Sequence, residues 1–188
     1  MGLLVFIGIF AAACIWAISI RNTIVRYFNA TKRAWAEVSN FERQKIKTLD
    51  TLEQTLSQYT QFEKSTLEKV TELRQQILNL NMHSADVVHL QHIEKLNQDV
   101  MRSLNVVVEN YPELKANTLY LKMMDDIQEQ NENVSAAITI FNRNVEEFNN
   151  TIQVFPNNAI NSLTLAKKPI RPFSDAVALQ NFSYRPNF

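Results

Sequence analysis

The chain has 188 residues, and its 19 Lys and Arg residues balance 19 Asp and Glu residues, so its net charge is zero. Because nucleic-acid binding relies on clustered positive charge, this balance argues against a nucleic-acid partner. Both glycines, Gly2 and Gly8, lie in the first ten residues, which excludes phosphate-binding loops, dinucleotide fingerprints and nucleophile elbows from the rest of the chain.

The first predicted element is a transmembrane anchor over residues 1–20. An unbroken apolar run occupies residues 3–18, and the first charged side chain is Arg21. As a helix, residues 1–20 cover about 30 Å, the thickness of a bilayer's hydrocarbon core. A cleaved signal peptide is the alternative, but no basic residue precedes the run. The side chains that we assign to the span include Leu3, Phe6, Phe10, Cys14, Trp16 and Ile20.

Cys14 leaves a further alternative open. Residues 10–14, Phe-Ala-Ala-Ala-Cys, resemble a loose lipoprotein cleavage box, which would make the chain an exported lipoprotein acylated at Cys14. The missing basic segment before the apolar run favours a simpler interpretation, in which Cys14 is a small apolar residue of the span without a disulfide partner.

The charges that follow the span predict its orientation. Arg21, Arg26, Lys32 and Arg33 lie within about fifteen residues of its end, and no Lys or Arg precedes it. The positive-inside rule therefore predicts that the N-terminus lies outside and the body in the cytoplasm.

The body is predicted to be helical. Between Gly8 and Pro112 there is neither Gly nor Pro, and the composition is rich in residues that favour helices. Apolar side chains recur every three or four residues, which is the helical period. They form three stripes: 38, 41, 49, 52, 56, 59, 67, 70, 73, 77 and 80; then 88, 93, 96, 100, 104, 107 and 111; then 127, 134, 138, 141, 145, 148, 152 and 155.

These stripes predict the fold class: an all-α protein in which the transmembrane helix continues into an antiparallel, four-helix-type bundle of long helices. Lys45 and Glu63 fall on the first stripe, so the seam there opens to water or carries paired charges. Residues 65–68 match a capping box and could start a new helix, but the stripe keeps its phase across them. We therefore expect one continuous helix there. The predicted divisions are an anchor (1–20), a bundle (21–156) and an irregular tail rich in proline and aromatic residues (157–188).

Surface aromatic side chains are the candidate partner contacts. The tail is punctuated by proline and either lies on the bundle or serves as a short recognition segment. Trp35 is as consistent with a core position as with a contact. The candidates are Trp35, Phe173, Phe182, Tyr184 and Phe188.

One weak metal-site candidate exists. Asp86, His89 and His92 are spaced by three residues at the start of the second helical segment, which places neighbours on roughly one helix face. A helical di-metal site needs two Glu-x-x-His pairs, and the sequence contains none. The only cysteine lies in the predicted span. We therefore expect no metal, no cofactor and no enzymatic activity.

Several strings resemble the LemA family of bacterial membrane-anchored helical bundles. Tyr111-Pro112-Glu113-Leu114-Lys115-Ala116-Asn117 is the most specific, and Phe141-Asn142, Phe148-Asn149 and Phe155-Pro156 follow the family's closing helix. The other strings are residues 22–26 with Ala34-Trp35, and residues 63–74. The resemblance implies a helical bundle tethered to the bacterial cytoplasmic membrane and brings no catalytic residue. It suggests two kinds of role, in organising specialised membranes and as a companion of a membrane-bound metalloprotease.

Together these observations predict a non-enzymatic, single-pass membrane scaffold or adaptor. Its expected partners are the lipid bilayer and either further copies of itself or another membrane protein. The alternatives are a metal- or ligand-binding bundle at Asp86, His89 and His92, and the exported lipoprotein.

Overall fold

The computed structural model describes residues 1–57 and 64–174, and every regular element in these residues is a helix. The long apolar N-terminal helix is followed by further helices, so the all-α prediction is confirmed. The helices are α1 (Gly2–Ser57), α2 (Lys64–Asn79), α3 (Val87–Asn110), α4 (Pro112–Lys115), α5 (Thr118–Gln153) and α6 (Asn157–Thr164).

The first two helices run antiparallel. The Arg74 guanidinium lies 2.8 Å from the Asp50 carboxylate, and the Trp35 indole N–H donates to the Asn81 carbonyl oxygen at 2.7 Å. Residue numbers rise along α1 as they fall along α2, so the chain reverses between the two helices. The expectation of one continuous helix across residues 65–68 is wrong, because packing the two halves of the apolar stripe against each other removes both from water.

Compact packing divides the chain into two units. Unit 1 comprises Met1–Ala34 and Ile140–Pro172, and unit 2 comprises Trp35–Thr139 and Phe173–Phe188. The long helices α1 and α5 each contribute residues to both units. The division into an anchor, a bundle and a tail stays a prediction.

Unit 2 has an apolar interior formed by the predicted stripes. Helices α2 and α3 pack antiparallel, since Lys69 Nζ donates to Ser103 Oγ at 2.7 Å while His89 Nε2 lies 2.9 Å from Gln76 Oε1. Val88 is an exception on the second stripe, because it is exposed. The buried stripe positions are Val38, Leu49, Leu52, Leu56, Val70, Leu73, Ile77, Leu80, Ile93, Val100, Leu104, Val107, Ile127 and Val134.

Unit 1 is built on an antiparallel contact between the first part of α1 and the last part of α5. Its buried cluster joins Ile24 to Phe148 and Ile152. The ring centroids of Phe28 and Phe148 lie 5.5 Å apart in a tilted arrangement, which is favourable for aromatic pairs. The cluster is completed by the half-buried side chains of Ile20, Tyr27, Phe28, Leu165 and Ile170.

The helix ends of the second and third segments follow the expected chemistry. Helix α3 is capped by Asp86 and ends at Asn110, before Pro112. The side-chain oxygen of Asn117 accepts hydrogen bonds from the backbone N–H groups of Leu119 and Tyr120, at 2.9 and 3.2 Å. These bonds satisfy donors that a helix start leaves unpaired. Helix α5 accordingly begins at Thr118, directly after its capping residue.

Candidate functional site

The apolar segment at the start of α1 is almost entirely exposed. Among the described residues, α1 is the one helix long and apolar enough to cross a membrane by length and composition. Almost none of its most apolar stretch is buried, whereas the core helix of a soluble protein is mostly buried. Of the predicted span residues, Leu3, Phe6, Phe10, Cys14 and Trp16 are exposed, and Ile20 is half-buried against the cluster of unit 1.

Residues 165–171, a short irregular segment after α6, belong to unit 1 and pack against its helices. We call this segment the strap. Two asparagine side chains hold it. Asn149 accepts from the Ile170 backbone N–H at 2.9 Å and donates to the Ile170 carbonyl oxygen at 2.8 Å. Asn161 makes the same pair of bonds with Lys167, at 3.1 and 2.9 Å. The side-chain amides thus replace backbone partners that an irregular segment lacks.

The strap also brings a cation onto an aromatic ring of α1. Lys167 Nζ lies 3.9 Å from the centroid of the Phe28 ring, and Lys32 Nζ lies 5.3 Å from the same centroid. The Arg26 guanidinium lies 5.6 Å from the ring centroid of Tyr27. All three distances fit cation–π contacts, in which a positive charge lies over the face of an aromatic ring. Two of the four predicted orientation charges, Arg26 and Lys32, are therefore held against aromatic rings of their own helix.

All four orientation charges, Arg21, Arg26, Lys32 and Arg33, are exposed. Unit 1 as a whole contains eight Lys and Arg residues against two Glu residues, a net charge of +6. Unit 2 contains the other eleven Lys and Arg residues against seventeen Asp and Glu residues, a net charge of −6. The zero net charge of the chain is thus the sum of two strongly and oppositely charged units.

Unit 2 carries a buried ion pair on the inner face of α1. Lys45 Nζ lies 3.1 Å from Glu42 Oε1, and the two side chains are 1% and 0% exposed. The other carboxylate oxygen, Glu42 Oε2, has no protein hydrogen-bond partner within residues 1–57 and 64–174. Of the two possibilities for the seam at Lys45, paired charges and opening to water, the structure shows paired charges. Glu63 and Tyr59 lie outside the described residues.

The candidate metal ligands are engaged in local helix contacts. Asp86 Oδ1 accepts from the backbone N–H of His89 at 3.0 Å as the cap of α3, and the His89 imidazole faces Gln76. His92 is exposed. In the part of the chain that the structure describes, no three His, Cys, Asp or Glu side chains are grouped so that they could hold a metal ion.

The candidate partner contacts fall into three groups. Trp35 is buried at 1% exposure and bonded to Asn81, so the structure places it in the core of unit 2 and not at a surface. Phe173 is half-buried. Phe182, Tyr184 and Phe188 lie outside the described residues.

The acidity of the Tyr120 side chain is clearly shifted. Burial raises the pKa of the Tyr120 phenol to about 12, because a buried phenolate loses its hydration. Tyr120 lies in the part of α5 that belongs to unit 2.

The sequence resembles known proteins over most of its length. The model of the LemA family matches residues 34–178. Protein LemA of Metamycoplasma hominis is 30% identical over 141 residues, which is 74% of this chain. The aligned part spans 63% of that relative's length.

Proposed function

The chain belongs to the LemA family, and from that premise we propose that it is a single-pass membrane protein whose helical part acts as a non-enzymatic scaffold or adaptor. The observation that carries the proposal is the exposed apolar start of α1. The fifteen apolar side chains at residues 3–18 would be costly to expose to water, and a bilayer removes them from it. Because α1 continues without a break to Ser57, the anchor and the body share one helix.

We propose the bacterial cytoplasmic membrane as the location, with the N-terminus outside and the helical body in the cytoplasm. The four exposed cations at residues 21–33 support this orientation, because basic residues close to a span are retained on the cytoplasmic side. Cysteine accessibility tests it directly. With Cys14 replaced by alanine and a cysteine placed at the exposed Val106, a membrane-impermeant reagent added to intact cells should leave Val106→Cys unlabelled. Labelling in intact cells would indicate the opposite topology, with the helical body outside.

The intact mass of the protein extracted from its own membrane separates the anchor from its two alternatives. Retention of residues 1–20 at the unmodified mass is the expected result. Loss of the N-terminal segment would indicate a cleaved signal peptide. Loss of residues 1–13 with added lipid would indicate a lipoprotein acylated at Cys14.

Native mass spectrometry in mild detergent tests the scaffold role. A defined homo-oligomer without other proteins would favour a structural or membrane-organising assembly. A stoichiometric complex with another membrane protein, such as a metalloprotease, would favour an adaptor. A monomer that co-purifies with no protein would contradict both forms of the proposal.

A further inference from the structure

The end of α5 lies beside the point where α1 leaves the apolar segment. Ile152 packs against Ile24, and Ile20 packs against the same cluster. Since the two helices run antiparallel in unit 1, residues after Ile152 continue towards the start of α1. The turn at Phe155-Pro156 and helix α6 therefore begin within about one helical turn, or roughly 5 Å, of the level of Ile20.

Large apolar side chains are exposed at this turn and on α6. Phe155 is 83% exposed and Leu163 is 82% exposed, and Val154, which precedes Phe155 in the chain, is also exposed. Phe155 is on the third apolar stripe but, unlike Phe148 and Ile152, it has no place in the core. Exposed apolar side chains grouped near a predicted membrane span are typical of a surface that meets lipid.

The strap adds positive charge close to the same level. It packs between the levels of Ile24 and Phe28, which lie four and eight residues after Ile20, or about 6 and 12 Å along a helix. The headgroup layer is about 5 to 8 Å thick, and the potential of an anionic surface extends roughly a further 8 Å at physiological salt. Lys168 and Arg171 are exposed, and among the described residues neither forms an ion pair.

A shallow groove of about 450 Å³ follows the opposite face of α1 from the one that packs in unit 1. Its lining changes in order along the helix from apolar to polar to cationic, as a phospholipid does from acyl chain to glycerol to phosphate. The lining residues are Ile15, Ile18, Ser19, Asn22, Thr23 and Arg26.

We propose that unit 1 is a docking surface for anionic phospholipids of the leaflet from which α1 emerges. Phe155 and Leu163 enter the boundary between headgroups and acyl chains, while Arg26, Lys168 and Arg171 contact the phosphates. The charge of +6 on unit 1 makes an anionic leaflet the complementary partner. The proposal rests on the anchoring proposed above and adds a preference for lipid headgroups that an apolar span alone does not have.

Site-specific fluorescence on the full chain in vesicles tests this inference. In a Cys14→Ala background, Leu163→Cys carries an environment-sensitive nitrobenzoxadiazole label, and Val106→Cys on α3 is the matched exposed control in unit 2. In vesicles of phosphatidylcholine mixed with phosphatidylglycerol, the label at position 163 should show blue-shifted emission and quenching by headgroup-proximal doxyl lipids. The label at position 106 should keep the emission spectrum of a label that is exposed to water. Flotation of the same samples reports anchoring independently.

The outcomes separate the two proposals. If the protein floats with the vesicles but the label at position 163 stays in water, docking is refuted and anchoring stands. If the protein does not float, both are refuted. If the label is protected only as the protein-to-lipid ratio rises, a second copy covers the surface and lipid docking is refuted.

Charge removal tests the preference for anionic lipid. Each Lys or Arg near an anionic surface contributes about a fivefold factor to its partitioning, so Lys168→Gln/Arg171→Gln should lower the ratio of docked to undocked protein by up to about 25-fold. The effect should disappear in pure phosphatidylcholine. The control Lys95→Gln/Lys122→Gln removes the same charge from exposed positions of unit 2 and should change nothing. Equal effects of the two double variants would refute the role of the strap.

Discussion

Replacing Lys45 by methionine should destabilise unit 2 far more than the loss of an ordinary ion pair. The pair between Lys45 and Glu42 is 3.1 Å long, and both side chains are buried. Methionine matches the lysine stem in shape but leaves the Glu42 carboxylate charged in an apolar interior. Removing one partner of a buried pair costs about 3 to 5 kcal/mol, because the remaining charge is neither hydrated nor paired.

The double variant Glu42→Met/Lys45→Met should recover most of that loss. Without either charge, the site becomes an apolar contact of similar volume, and such replacements are often neutral or stabilising. We expect its free energy of unfolding to lie within about 1 kcal/mol of the parent or above it, so the two substitutions would be coupled by at least about 3 kcal/mol. Urea unfolding followed by far-UV circular dichroism measures Lys45→Met, Glu42→Met and the double variant, the three members that the coupling energy requires.

Lys64→Met provides the matched control. Lys64 pairs with Glu68 at 3.8 Å, but these side chains are 91% and 67% exposed, so the loss should be below about 0.5 kcal/mol. A Lys45→Met cost as small as that of Lys64→Met would show that the Glu42 carboxylate reaches water. That result would refute the buried-pair argument.

Three further predictions concern the strap and α5. Asn149→Ala should lower the free energy of unfolding by about 1 to 3 kcal/mol, because it removes both hydrogen bonds to the Ile170 backbone. It should also speed hydrogen exchange in residues 165–171. The control Asn150→Ala, at an exposed neighbouring position, should leave that exchange unchanged. Ala166→Gly should stabilise by about 1 kcal/mol, since Ala166 has φ 47°, a left-handed conformation that favours glycine; a lowered melting temperature would contradict this. For Tyr120, the unfolded chain releases its phenolic proton near pH 10 but the folded chain only near pH 12, so stability should fall over this interval by about 2 to 3 kcal/mol. Tyr120→Phe should remove that loss, and an unchanged pH profile in the variant would contradict the assignment.

Helical periodicity predicted the class of the fold because each stripe reports which face of a helix leaves water. It placed Leu73, Ile77 and Leu104 in the core correctly. It failed at the start of α2, where the capping box at residues 65–68 indicated a new helix but the unbroken phase of the stripe favoured continuity. The antiparallel arrangement of α1 and α2 depends on contacts between the two helices, and a period measured along one segment contains no information about its partner.

The strap could not be predicted from sequence for a related reason. Its bonds join Asn149 to residue 170 and Asn161 to residue 167, and an asparagine that serves a distant backbone looks the same in sequence as a solvated one. The sequence likewise gave no indication that Lys167 would lie over the face of the Phe28 ring. Such contacts depend on the path of an irregular segment, which no periodic pattern describes.

The balance of charges shows where an average over the chain misleads. A net charge of zero argues against an electrostatic surface only if positive and negative residues are mixed in space. Here residues 1–34 contain four cations and no acidic side chain, and the strap adds three more cations from a distant part of the sequence to the same unit. Because salt screens charge over roughly 8 Å, the residues that we propose to dock at a membrane act through the charge of their own unit and not through the total. For this reason a neutral chain can contain a strongly cationic unit, and a charge of that sign is what the proposed docking to an anionic leaflet requires.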